Sequence, residues 1–145
     1  MILIRQIEAE DTFSVRQPVL RPGKSIESCH FEGDNLGTTA HFGLSENEEL
    51  LAVVSLYKTN YPNCKIENQF QMRGMAVLEK HQRMGLGEQL VKKAEHYVRE
   101  KNGKLIWFNA REKAVPFYEK LGYKINGNPF EINDIGTHFV MYKRL

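Results

Sequence analysis

Residues 69–110 constrain this chain more than any other stretch. "QFQMRGMAVL" reads as a strand. The loop "HQRMGLG" follows, with two glycines one residue apart. From Leu86 to Asn102 the pattern turns helical. Leu90, Ala94 and Val98 recur every fourth residue with Val91 beside them, while Lys92, Lys93, Glu95 and Arg99 fall outside. Gly103 is placed to end the helix. "KLIWFNA" then reads as a buried-type strand.

The remaining segments extend that order. "MILIRQIEAE" is an opening strand, and Asp11 and Thr12 are candidate caps for a short helix toward Val19. Residues 21–37 are polar loop with helical turns. "TTAHFGLS" and "ELLAVVSLYK" form a hairpin about "ENE". "AVPFYEKLG" is a short helix closed by Gly122. "YKINGNPFEI" and "THFVMYKRL" finish as strands, with Asn126-Gly127 a turn signal. The expectation is one α/β domain over residues 1–145, on a mixed, mostly antiparallel twisted sheet flanked by helices.

Composition narrows the class. The chain is 145 residues long, 41% hydrophobic and 26% charged, which suits a globular core and argues against disorder. A net charge of +2 gives no push toward nucleic acid. Cys29 and Cys64 have neither CxxC nor metal-ligand spacing. They read as free thiols in a reducing compartment, and no metal is expected. The N-terminal apolar run is too short for a membrane span or signal peptide. A cytoplasmic protein without membrane partners is the expectation.

The glycine loop carries the chemistry. A helix N-terminus offers unpaired N–H groups and a partial positive charge. Glycines let that backbone approach an anion, so the loop can hold a phosphate or pyrophosphate, with Arg83 as a charged donor. It is not a Walker A loop, because Glu88 and Gln89 follow Gly87. It is not a dinucleotide loop either, since Leu90 replaces the third glycine and the loop lies mid-chain.

Gln82-Arg83-Met84-Gly85-Leu86-Gly87 matches Q/R-x-x-G-x-G/A and resembles the acetyl-CoA pyrophosphate loop of the GNAT superfamily of N-acetyltransferases. "AVPFYEKLGYK" resembles that family's next signature. "RQPVLRPG", "QFQMRGMAVL", "WFNAREKAVPFYEKLGY" and "IGTHFVMYKRL" extend the likeness over nearly the whole chain, toward the glyphosate N-acetyltransferase subfamily and its bacillus-type relatives. Those relatives acetylate small anionic amino compounds and act poorly on glyphosate before engineering.

The resemblance implies a GNAT fold, acetyl-CoA as cosubstrate and a set of site residues. Met75, Ala76 and Val77 would pair with the pantetheine arm through their backbone. Gln82, Arg83, Met84, Gly85, Leu86, Gly87 and Glu88 would hold the pyrophosphate, and Asn109 would contact coenzyme A. The glutamate base common on the fourth strand of the family is absent, and Arg73 stands in that strand. Of His30, His41, His81, His96 and His138, it is His138 that matches the base of the glyphosate-acetylating relatives. An imidazole titrates near neutral pH, which suits that task. Tyr118 matches the tyrosine beside the coenzyme A sulfur, where a phenol can protonate the leaving thiolate.

Arg21, Arg73 and Arg111 match three substrate-binding arginines, a residue type suited to bidentate recognition of carboxylate or phosphonate. Strand alternation puts Arg73 on the face of Met75, and Arg111 on the face of Asn109. The expected acceptor is a small amine with acidic groups, and the expected assembly is a monomer or homodimer. Rival readings are a GNAT enzyme acting on a protein N-terminus, a polyamine or a drug amine, and a non-catalytic acyl-CoA-binding module.

Overall fold

The computed structural model describes residues Met1–Leu145. Seven strands form one sheet in the order β1-β2-β3-β4-β5-β7-β6. They are β1 (Ile2–Ile7), β2 (Ala40–Glu46), β3 (Glu49–Tyr57), β4 (Gln69–Val77), β5 (Leu105–Arg111), β6 (Lys124–Ile132) and β7 (Gly136–Arg144). Three helices complete it: α1 (Phe13–Leu20), α2 (Leu86–Glu100) and α3 (Val115–Lys120). Every strand pair is antiparallel except β4–β5, so the mixed, mostly antiparallel sheet expected above is the one observed.

Alternation along the strands builds two faces. Phe42, Leu44, Ala52, Val54, Leu56, Phe70, Met72, Ile106, Phe108 and Met141 point to one side and bury Leu90, Val91, Ala94 and Val98 of α2. These are the helical positions spaced for burial in the sequence. The other face takes α1, where Val15 packs with Val53 and Ala76. No helix is long and apolar enough to cross a membrane.

α2 ends at a Schellman motif. Asn102 takes the left-handed turn (φ 61°), Asn102 N–H bonds Arg99 O (3.0 Å), and Gly103 N–H bonds Val98 O (2.8 Å). Gly103 does terminate the helix, but its requirement is space. A Cβ there would lie 2.2 Å from Val98 Cγ1, 3.0 Å from Val98 O and 3.1 Å from Phe70 Cδ1. Gly103→Ala should therefore destabilise the protein by about 1–3 kcal/mol, the usual cost of overpacking. The readout is the denaturant midpoint, and an unchanged midpoint would contradict that reading.

Several local expectations change. Glu95, which the helical spacing put outside, is buried and accepts from the Tyr123 hydroxyl (2.9 Å) and Lys143 Nζ (3.0 Å). Asn126-Gly127 is no turn: both residues lie inside β6, where pairing with β7 slips between Asn126 and Phe130 and Gly127 has φ 84°. The chain reverses later, between β6 and β7 at residues 133–135. Thr12 does not cap forward, since its hydroxyl donates back to Ala9 O (2.6 Å). Asp11 instead accepts Glu8 N–H (3.0 Å), closing a 3-10 turn over Ala9–Thr12. Alternation also fails at one point in β4. Gly74 sits at a bulge with φ 68°, and pairing with β3 slips there. The extra residue turns the strand over. Arg73 lies on the α1 side against Tyr57, whereas Met75 packs into the α2-side core. Arg73 and Met75 thus occupy opposite faces.

Candidate active site

The site forms where β4 and β5 part. Their parallel pairing covers only Gln69–Gln71 against Leu105–Trp107. Beyond that, Met72–Val77 has no ladder partner on the β5 side, and Phe108–Arg111 runs on beside β7 alone. A twisted sheet opened this way exposes backbone N–H and C=O groups of β4 to an extended ligand, as an edge strand does. Met75, Ala76 and Val77 lie along that free edge.

The glycine loop stands at its end. Gln82 donates from Nε2 to Val77 O (2.9 Å), pinning the loop to the strand. Arg83 (φ 65°) and Gly85 (φ 81°) are both left-handed, and they turn the chain into α2 around exposed Met84. Gln89 N–H to Gly85 O is the bond that opens the helix, so the N–H groups of Leu86, Gly87 and Glu88 have no helical acceptor. A Cβ at Gly85 would meet nothing within 4 Å, so the approach is open. Free donors, the positive helix end and the open β4 edge together fit a pyrophosphate followed by an extended arm. Glu88's carboxylate is turned along the helix to Lys92 (2.9 Å), leaving its backbone N–H for the anion.

The α1 face of the same sheet region holds the polar residues. Arg111 pairs directly with His138 across β5 and β7, so their side chains share a face. Asn109 is two residues back on that face, as alternation required. His138 is buried, and its Nδ1 lies 2.8 Å from Gly136 O. A carbonyl only accepts, so Nδ1 carries a proton, and in the neutral ring Nε2 is the nitrogen free to accept. The Phe130 ring lies 5.9 Å from the imidazole.

Arg21 leaves the end of α1 and Arg73 leaves β4, yet they meet at one aromatic ring. Their guanidinium carbons lie 5.1 and 5.2 Å from the Phe31 centroid, and Arg73 is also 5.0 Å from Tyr57. None of Arg21, Arg73 and Arg111 has a carboxylate within ion-pair distance. Arg21 and Arg73 thus bring together cationic charge that the protein leaves unneutralised, while Arg111 stands across from His138 at the end of β5.

Beneath Phe31 is a network that the residue pattern did not reveal. Arg16, fully buried, pairs with Asp34 (2.7 Å) and stacks on Phe31 at 4.1 Å. Asp34 also accepts Phe31 N–H (2.8 Å) and the Tyr57 hydroxyl. Burial alone would raise the Asp34 carboxyl, but the bonds from Arg16, Tyr57 and Phe31 outweigh it and hold it below its ordinary value. Burial and the bond to Asp34 push the Tyr57 phenol up to about 12. The available signal was Arg16 itself, which sits between Thr12 and Val19 on the apolar side of a short helix.

Tyr118 lies on α3 with its ring buried against Phe108 (4.3 Å), Phe117 (4.9 Å) and Tyr123 (6.1 Å). Burial holds its phenol well above the usual value, so it stays protonated. Two other histidines border the Asp34 network, His30 with its Nδ1 3.5 Å from Asp34 Oδ2 and His41 on the Asp34 carbonyl. His41 is buried between Ser55 Oγ (2.6 Å) and Asp34 O (2.9 Å), and exposed His96 faces Glu100.

The sequence and the fold have known counterparts. The model of the acetyltransferase (GNAT) family matches residues 4–123. The uncharacterized N-acetyltransferase YitI of Bacillus subtilis (strain 168) is 37% identical over 145 residues, spanning 100% of this chain and 97% of that protein. The fold is similar to the crystal structure of an aminoglycoside 6′-N-acetyltransferase complexed with coenzyme A, with TM-score 0.76 and 18% identity over 98% of this chain and 96% of that one. A GNAT family acetyltransferase from Elizabethkingia anophelis with acetyl-CoA bound gives 0.73 and 18% over 99% and 98%. This chain belongs to the GNAT family of acetyltransferases. It is an acetyl-CoA-dependent N-acetyltransferase, and acetyl-CoA is its cosubstrate.

Proposed function

We propose that the acceptor is a small amine carrying one or two acidic groups, such as an acidic or phosphono amino acid. The observation that supports this most strongly is the pair of unneutralised guanidinium groups, Arg21 and Arg73, set side by side on Phe31. Two more features point the same way. Arg111 shares a face with His138, whose Nδ1 is held by the Gly136 carbonyl. The sequence resemblance to glyphosate-acetylating relatives supports a substrate-binding role for the same arginines. A polyamine would meet repulsion from those cations, which disfavours the cationic alternatives.

The residues divide the work. Acetyl-CoA supplies an activated acetyl group. Arg21, Arg73 and Arg111 hold the acceptor's anionic groups through charge-assisted hydrogen bonds. His138 takes a proton from the amine at Nε2, freeing the nitrogen lone pair for attack on the thioester carbon. Met75, Ala76 and Val77 present backbone donors to the arm, and the loop from Gln82 to Glu88 holds the pyrophosphate. Asn109 borders the cofactor groove. Tyr118 donates a hydrogen bond to the departing sulfur. Burial holds the phenol above its usual value, which keeps it protonated as a donor to that sulfur.

A direct test needs no turnover. A dicarboxylate bearing a hydroxyl in place of the amine should bind, as measured by calorimetry, and weaken as salt is added. A polyamine at the same concentration should give no heat. Polyamine binding without dicarboxylate binding would overturn the reading.

A further inference from the structure

We propose that the buried Arg16–Asp34 ion pair is the positioning device of the acceptor pocket: it sets the two aromatic plates, Phe31 and Tyr57, on which Arg21 and Arg73 are aligned. The proposal rests on the reading of that pocket as an anion site and adds the residues that shape it from beneath.

The contacts converge on one carboxylate. Asp34 accepts from Arg16 at 2.7 and 3.2 Å and from the Phe31 N–H at 2.8 Å, and it takes the Tyr57 hydroxyl as well. Arg16 in turn donates to Cys29 O (2.8 Å), Ser55 Oγ (3.0 Å) and Tyr57 OH (3.3 Å), while its guanidinium lies on Phe31. Phe31 is therefore held twice, by its main chain through Asp34 and by its ring through Arg16. Tyr57 is held by both partners. Arg73 lies over both rings, and Arg21 over one. Neither Arg16 nor Asp34 can meet an acceptor, because both side chains are fully buried.

Two further facts set this pair apart from a simple tether. Arg16 Nε is the sole buried side-chain nitrogen or oxygen without a hydrogen-bond partner, and it lies 3.4 Å from where a Cβ on Gly74 would be. The guanidinium thus sits between the Phe31 ring and the β4 bulge next to Arg73, with Nε unbonded. Asp34 also neutralises Arg16 from within, so the positive charge facing the pocket comes from the arginines that can reach a ligand. A buried ion pair is seldom retained for stability, since apolar residues of equal volume do as well.

Asp34→Asn separates positioning from simple electrostatics by sign. Removing a negative charge near Arg21 and Arg73 would, by Coulomb attraction alone, strengthen anion binding. Loss of positioning weakens it. The experiment measures kcat and KM for an acidic acceptor, for the carboxamide of the same acceptor and for acetyl-CoA, alongside the melting temperature. Asp34→Asn should raise KM for the acid about tenfold or more, with KM for acetyl-CoA and for the carboxamide changed by less than about twofold. An unchanged or lowered KM for the acid in folded protein would overturn the proposal. Should Asp34→Asn fail to fold, Tyr57→Phe keeps the ion pair and removes only the phenol bond. It should cut the preference for acid over carboxamide about threefold, and an unchanged preference there would equally count against the proposal. A wild-type enzyme with no preference for the acid would remove the anion-site reading, and this proposal with it, before any variant is made.

Discussion

His138→Ala lowers kcat by about 10²-fold or more at neutral pH, the usual contribution of a positioned base. The expectation comes from geometry. The imidazole is buried, its Nδ1 proton is committed to Gly136 O, and Nε2 is left to accept. No carboxylate stands in β4 to take over, because "QFQMRGMAV" contains none. KM for acetyl-CoA should hold, since His138 is on β7 and the groove proposed for the cofactor lies between β4, β5 and the start of α2. The defect should shrink as pH rises toward the amine's own pKa, where the neutral acceptor forms without help. Turnover near wild type across neutral and alkaline pH would exclude His138 as the base.

Arg73→Ala should raise KM for an acidic acceptor by roughly 10- to 100-fold, from the loss of hydrogen bonds to a charged group worth about 1.5–3 kcal/mol. KM for acetyl-CoA should change little, because the bulge at Gly74 puts Arg73 on the face opposite Met75. Equal rises in both KM values would contradict an acceptor role. Arg73→Lys is the informative companion. It keeps the charge but loses the fork and the stacking on Phe31 and Tyr57, so it should recover only part of the loss.

Much of this fold was legible in local pattern. The apolar spacing of α2 is a property of 15 consecutive residues and survives any packing detail. The loop from Gln82 to Gly87 is recognisable because its chemistry requires glycines near a helix start. The order of β7 between β5 and β6 was not legible, since neighbouring in space here is not neighbouring in sequence. Asn126-Gly127 misled for a related reason. The dipeptide reports backbone freedom, and a bulge uses that freedom as readily as a turn.

The site itself was only partly legible. Gly74 inside "MRGMAV" was a bulge signal, and counting through it by twos put Arg73 and Met75 together when the structure separates them. Arg16 and Asp34 are eighteen residues apart, one on a short helix and one in irregular chain, and most charged residues are solvated. Their burial depends on tertiary packing that no local window contains. Phe31 is apolar in a polar loop, and it becomes a platform only when α1 and β4 bring three guanidinium groups to its ring.

The most direct measurement is release of free coenzyme A thiol from acetyl-CoA against a panel of amines. The panel holds acidic and phosphono amino acids, glyphosate, neutral amino acids, a polyamine and short peptides. Turnover confined to the acidic members is the expected result. Turnover with the polyamine or the peptides and none with the acids would contradict the proposed acceptor site at Arg21, Arg73 and Arg111.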